Sequence, residues 1–255
     1  MDIHTCYDLS GKTVLVTGAN GGLGTQLVKC LSGAGARVIM ASRNPQKLNV
    51  VAEPLKDVSV LQMDVADRVS VTQAFKTLAV KNEKIDVCIN NAAIMKLTPV
   101  FDGDLNDDFE EIMRTNVVGV WNVTKMAAMH MRDHNIAGSI INISSAGGGS
   151  VCRANVTGYY ASKAAVIKLS QNAVSELSRH RIRINTVLPG TLYTGMTSSR
   201  VQDDVEHQKI KDSIPMRRLG NVEDLDGIIL YLASNQASAY VTGSVISVDG
   251  GLACQ

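Results

Sequence analysis

Seven short apolar runs alternate with helix-patterned stretches along the whole chain, and that alternation is the tightest constraint on its fold. The runs are Thr13–Thr17, Arg37–Ala41, Val58–Gln62, Asp86–Asn90, Ser139–Ile143, Arg183–Leu188 and Ser244–Val248. They are rich in Val and Ile and apolar on consecutive positions, which suits strands covered on both faces. Helical patterns fill the gaps at Leu23–Gly33, Pro45–Glu53, Val69–Val80, Asp107–Asp133, Tyr159–His180 and Val222–Ala233. Asn44 reads as an N-cap with Pro45 at the first helical position. Strict alternation implies βαβ crossovers, hence an α/β fold: a doubly wound, seven-stranded parallel sheet with helices on both faces. No linker or repeat divides the chain, so one domain is expected over residues 1–255. The stretch 191–215 is polar and irregular, and is expected to form a substrate lid or a surface excursion.

Composition removes several classes of function. The 255 residues are 45% apolar and 19% charged, with a net charge of +1, which gives no electrostatic case for nucleic acid or an anionic membrane. No apolar run reaches the ~18 residues that a membrane span needs. The N-terminus lacks the basic-then-apolar order of a signal peptide. Five cysteines are scattered, with no Cys-x-x-Cys, as in a reduced, cytoplasmic protein. The expected partner is a small molecule.

Two local patterns suggest which. The first strand runs directly into Gly18-Ala19-Asn20-Gly21-Gly22-Leu23-Gly24 and then into a helix. Glycines let the backbone turn sharply, and the helix N-terminus offers free N–H groups to a diphosphate. In this strand–turn–helix context the cluster reads as a dinucleotide-binding turn. Further on, Tyr159 and Lys163 stand four residues apart at the start of a helix, so phenol and ammonium share a face. A cation at ~4 Å in an effective dielectric of ~20 favours the phenolate by about 4 kcal/mol, enough to lower a tyrosine pKa by roughly three units. Tyr159 would then be an acid/base poised near neutrality. Tyr160 lies ~100° around the helix and lacks the lysine at i+4.

The glycine spacing is Thr-Gly-x-x-x-Gly-x-Gly, at Thr17, Gly18, Gly22 and Gly24. With it the chain resembles the short-chain dehydrogenase/reductase family over nearly its whole length. Asn90-Asn91-Ala92-Ala93 resembles that family's Asn-Asn-Ala-Gly, with Ala93 replacing the glycine. Ser144-Ser145 closes the fifth strand, Pro189-Gly190-Thr191-Leu192-Tyr193-Thr194 resembles Pro-Gly-x-x-x-Thr, and Thr242-Gly243 and Val248-Asp249-Gly250-Gly251 are similar to its closing signature. The resemblance implies a single-domain Rossmann fold and a carbonyl–alcohol oxidoreductase using hydride transfer. Tyr159 would move the proton, and Lys163 would tune it and bind the nicotinamide ribose. Ser145, the second serine of its pair, would hold the substrate oxygen, and Asn116 would hold a relay water. Cofactor contacts are implied for Gly18, Asn20, Gly22, Leu23, Gly24, Asp64, Val65, Asn91, Ala92, Pro189, Gly190, Leu192 and Thr194, besides Tyr159 and Lys163. For Asp64 a helix N-cap role serves equally. Relatives also imply a homotetramer packed through the two long helices and the C-terminal strand.

The cofactor's second phosphate can be read from charge. A dinucleotide fold places an acid about twenty residues beyond the glycines for the ribose 2′-hydroxyl. Here the segment carries Ser42 and Arg43 and no Asp or Glu. Ser42 can hydrogen-bond and Arg43 can pair with a 2′-phosphate, so NADP(H) is expected over NAD(H). An NAD(H)-preferring alcohol or sugar dehydrogenase is the alternative within the family, and a non-catalytic NADP(H)-sensing scaffold is the alternative outside enzymology. Lys96 and Arg153 are the candidate anchors for an anionic substrate. Sugars or sugar acids, 3-oxoacyl thioesters, steroids and small ketones are all compatible with the sequence. His130 and His134 lack a metal-protease pattern and read as a solvated helix end, and Arg179–Arg183 reads as a basic helix C-terminus.

Overall fold

The computed structural model describes residues 5–101, 108–194 and 204–254, with the side chains of 204–207 left aside. Strands β1 (Thr13–Thr17), β2 (Arg37–Ser42), β3 (Val58–Gln62), β4 (Val87–Asn90), β5 (Ser139–Ile143), β6 (Arg183–Pro189) and β7 (Val245–Val248) form one sheet. Its order is β3-β2-β1-β4-β5-β6-β7, and every pairing is parallel. Helices α1 (Gly22–Gly33), α2 (Gln46–Ala52), α3 (Arg68–Val80), α4 (Asp108–Met113), α5 (Gly119–Asp133) and α6 (Thr157–Ser178) make the main crossovers.

Side chains alternate across the sheet, as strand geometry demands. Val14 and Val16 of β1 face a core with Leu27, Val28 and Leu31 of α1 and with Ile229 and Leu232 of the helix Asp226–Ala233. Leu15 between them faces the opposite core, with Phe75 and Leu78 of α3 and Val123 and Met131 of α5. Two apolar layers therefore clamp the sheet, and the continuous apolar runs of β1, β2 and β5 are the sequence trace of that double burial.

The order reverses between β1 and β4. A crevice opens there, outside the carboxyl ends of the strands, where a ligand can enter without breaking a crossover.

The structure differs from the sequence reading in five places. Asp107–Asp133 is not one regular helix: α4 and α5 are joined by a π-helical segment, Arg114–Val118, centred on Asn116. The expected helix Val222–Ala233 begins as a 3-10 turn, Val222–Leu225, closed by a capping box between Asn221 and Asp224. The N-cap of α2 is Pro45, which takes helical φ and ψ and offers no side-chain cap, so Asn44 is one residue too early for the expected role; its Oδ1 accepts from the Gln46 N–H at 3.2 Å.

The other two differences concern charge. His130 is buried, its Nε2 accepting from the Ile85 N–H at 3.2 Å, and burial pushes its pKa down. Arg183 is not part of a helix end but a buried residue of β6. Its Nη2 donates to the Leu232 carbonyl and to Asn235 Oδ1, both at 2.8 Å. Neutral acceptors leave desolvation dominant, and its pKa is pulled down.

Candidate active site

The turn after β1 is shaped by close backbone approach. Gly18 has φ +64°, and a Cβ there would lie 2.7 Å from the Ala92 Cα. A Cβ at Gly24 would be driven into the Gly18 carbonyl oxygen. Side chains then lock the turn to the end of β4. Thr17 Oγ1 accepts from the N–H groups of Asn91 and Ala92, both at 3.1 Å. Asn91 Nδ2 donates back to the Thr17 and Gly18 carbonyls, also at 3.1 Å. The N-cap of α1 is Gly21, with no side-chain cap. The first N–H groups of the helix thus lack a side-chain partner and are the natural acceptor site for a diphosphate. The chain fits the dinucleotide that its sequence implies.

From this turn a cleft of about 770 Å³ runs across the sheet end. It is lined by Gly18, Asn20, Gly22, Leu23 and Gly24 from the turn, and by Ser42 and Arg43 at the end of β2. Asp64, Val65, Asn91 and Ala92 line it after β3 and β4. Ser145, Tyr159, Lys163, Pro189, Gly190, Leu192 and Thr194 complete it. Every catalytic and cofactor-binding residue expected from the sequence therefore lines one cleft, except Asn116, which is wholly buried behind it; of the two candidate substrate anchors Arg153 lines the cleft and Lys96 does not.

Asn116 is spent on structure. Its Oδ1 accepts from the Ile94 N–H and its Nδ2 donates to the Ile94 carbonyl, both at 2.9 Å, with a further bond to Ser162 Oγ at 3.0 Å. The side chain ties α4–α5 to the loop after β4 and to α6, and has no donor left for a relay water. Asp64 is not a helix cap: Asp67 caps α3, while Asp64 Oδ1 accepts from the Ala66 N–H at 3.0 Å.

The serine pair, just past β5, divides by what each hydroxyl is bonded to. Both line the cleft, but Ser144 is buried and its Oγ donates to the Lys163 carbonyl at 2.7 Å, whereas Ser145 accepts from the Gly147 N–H at 3.2 Å and bonds the Tyr159 hydroxyl. Lys163 is buried, its Nζ donating to the Ile143 carbonyl at 2.9 Å and standing 5.6 Å from the centre of the Tyr159 ring. Burial brings its pKa down to about 8.

Tyr159 moves opposite to expectation. Burial of its hydroxyl pushes its pKa up to about 12, a hydrogen bond with Ser145 opposing the shift and the neighbouring Tyr160 adding to it. The ring itself stays partly open to the cleft. The sequence argument gave the ammonium a free hand at short range, but here it is engaged by a carbonyl and is itself desolvated. In the protein alone the phenol keeps its proton at neutral pH and is not an incipient phenolate.

Lys47 of α2 also faces the cleft, beside Arg43. It had no motif to mark it; only its position in the first turn of the helix after Asn44-Pro45 brings it there. Of the expected lid, residues 195–203 lie outside the described residues. A helix, Asp204–Asp212, follows, and its Ile210 lines the cleft. No group of His, Cys, Asp and Glu among the described residues could hold a metal ion.

The family model described as enoyl-(acyl carrier protein) reductase matches residues 18–253. A gluconate 5-dehydrogenase from Gluconobacter oxydans is 35% identical over 251 residues, covering 96% of each chain. Among solved structures, a short-chain type dehydrogenase/reductase from Mycobacterium marinum superposes with a TM-score of 0.93 at 34% identity, over 100% of both chains. A gluconate 5-dehydrogenase from Burkholderia cenocepacia, in complex with NADP and tartrate, superposes with a TM-score of 0.92 at 31% identity, over 98% of both.

Proposed function

The chain belongs to the short-chain dehydrogenase/reductase family of NAD(P)-dependent oxidoreductases, and from that premise we propose that it uses NADP(H) to interconvert a carbonyl and a secondary alcohol, with Tyr159 as the general acid/base. The observation that carries this reading is the convergence of Ser145, Tyr159 and Lys163 on the cleft that begins at the uncapped glycine turn.

When bound, the reduced nicotinamide supplies a hydride to the carbonyl carbon. Tyr159 Oη gives its proton to the oxygen that becomes the hydroxyl, and takes it back in the oxidative direction. With its pKa pushed up to about 12 the phenol is protonated at neutral pH, as a donor must be, though it is a weaker acid than a free tyrosine. Ser145, already hydrogen-bonded to the phenol, orients the same oxygen. Lys163 holds positive charge behind the phenol and stabilises it once the proton has gone. Asn116 is a positioning residue that fixes the loop and helices around them.

Preference for NADP(H) rests on Arg43, just after β2, and Lys47, in the first turn of α2, two cations on a stretch of the wall where no acid stands among the described residues. A solved relative holding NADP supports it. Residues 191–215 are assigned as the substrate lid on the strength of Ile210 and Leu192 at the cleft. A cytoplasmic homotetramer completes the reading: Val118 and Trp121, on the outer side of the α4–α5 helix, are 44% and 45% exposed, as an unfilled subunit contact would be.

Replacing Tyr159 by Phe tests the chemistry. Turnover of NADPH against a carbonyl panel should fall about 10²- to 10⁴-fold while cofactor affinity is kept. Residual activity within tenfold of wild type would remove Tyr159 from its role.

A further inference from the structure

The cleft is asymmetric in charge, and its far end carries a cation that the reaction does not use. Among the described residues lining it the only acid is Asp64, and the cations are Arg43, Lys47, Arg153 and Lys163. Arg43 follows β2 and Lys47 lies in the first turn of α2, and Lys163 is buried and bonded to Ile143. Lys96, the other anion anchor suggested by the sequence, is held by Asp108 at 2.8 Å and by Glu111. That leaves Arg153 on the substrate side. It is exposed, and its Nη2 reaches a neutral oxygen, Thr191 Oγ1, at 3.5 Å.

The loop that carries it is braced on both flanks. Ser150 Oγ donates to the Ala253 carbonyl at 2.8 Å. The Thr98 N–H donates to the Asn155 carbonyl at 2.8 Å, and Thr98 Oγ1 accepts from the Gly158 N–H at 2.9 Å. Arg153 therefore stands at a set place on the wall, six residues before Tyr159. A guanidinium there, with no carboxylate of the described residues against it, can take a carboxylate through two parallel N–H donors.

We infer that Arg153 anchors a substrate carboxylate, so that the preferred substrate is a free keto- or hydroxy-acid, not a neutral ketone or a thioester. This rests on the carbonyl–alcohol reading above and names its substrate class. Atoms balance as in any such reduction: the carbonyl carbon gains a hydride, its oxygen gains the Tyr159 proton, and the carboxylate is unchanged.

The test compares 5-keto-D-gluconate with L-sorbose, which share a skeleton and ketone and differ by carboxylate against hydroxymethyl. Wild type should favour the acid in NADPH-dependent reduction. Arg153→Gln should lower kcat/KM for the acid about 10- to 100-fold, mostly through KM, and leave L-sorbose within twofold. Arg153→Lys should restore part of the loss. Equal loss on both substrates, or a wild type that prefers L-sorbose or S-acetoacetyl-N-acetylcysteamine, overturns the anchor and leaves the reaction standing. Binding is read separately: D-gluconate should raise the melting temperature of the NADP-loaded wild type and not that of Arg153→Gln. If that difference appears without any turnover, the anchor stands and the reaction reading falls; equal shifts overturn the anchor.

Discussion

At the ends of β1 and β4 the cleft is walled by backbone against backbone, Gly18 on Ala92 and Gly24 on Gly18, with Thr17 and Asn91 bolting the seam. Across from it, where a substrate would lie, the wall is faced by the side chains of Arg153, Tyr160, Leu192 and Ile210. The first wall cannot change shape without moving two strands. The second can change with one substitution. The diphosphate is common to NAD and NADP, so the half that would hold it can be rigid, while the substrate half must be adaptable.

Two glycines break this contrast most sharply if it is wrong. Gly24→Ala drives a methyl into a carbonyl oxygen of the backbone, and should abolish cofactor binding, with a loss above ~100-fold in NADPH titration. Gly21→Ala is its control: the added carbon would find only the Gly18 oxygen, at 3.6 Å, and stability should stay within about 0.5 kcal/mol of wild type.

Lys163 sits where the two walls meet, and its burial sets a pH dependence. Its pKa is about 8 in the folded protein against 10.5 for an ordinary lysine. Below pH 8 both folded and unfolded chains hold the proton, and the buried charge costs stability throughout. Above it the folded state releases the proton first, so the unfolded state binds more protons and stability rises with pH. Urea unfolding of the cofactor-free protein should gain about 2 kcal/mol from this group between pH 7.5 and 9.5. Tyr159, raised to about 12, opposes it only at higher pH, from about 10 upward. A Lys163→Met variant that keeps the same slope would refute the assignment.

Smaller effects separate the phosphate end from the substrate end. Arg43→Ala should cut the NADPH-over-NADH preference about 10- to 100-fold, as loss of one charge-assisted bond predicts; an unchanged ratio would clear Arg43 of any role. Gly147→Ala meets the Tyr160 ring instead of backbone. A ring can tilt, so the cost should be about 1 kcal/mol, and KM for substrate should move while the NADPH Kd does not. A change in both would mean that the two walls are mechanically one.

The legibility of this molecule follows the same division. The boundaries of β1 and β5 could be read to the residue because strands buried on both faces are set off from the polar turns around them, and those of edge strand β3 because its Val-Ser-Val-Leu pattern lies between polar neighbours. The glycine turn was legible because only glycine fits it. Asn116 was visible as a motif, but its side-chain partners were not, since Ile94 and Ser162 lie 22 and 46 residues away. His130 looked solvated because the acceptor role it plays, toward the Ile85 N–H, comes from a segment 45 residues earlier. The direction of the Tyr159 shift was missed because spacing reports proximity and says nothing of desolvation. Lys47 was missed because a lysine in the first turn of a short helix carries no pattern.

The π-helical segment Arg114–Val118 bears on how this chain tolerates change in length. A π turn is an α-helix carrying one surplus residue. Deleting a single residue there would let the helix close up to regular geometry with α4 and α5 each keeping its face, so Val123 and Met131 would stay on the sheet. The same deletion inside α5, which has no surplus residue, would turn everything beyond it by ~100° and take Met131 off the sheet. The bulge thus works as slack in the helix: it gives the segment around Asn116 its own geometry while α5 answers to the sheet, and it makes this one stretch more tolerant of a deletion than the regular helix beside it.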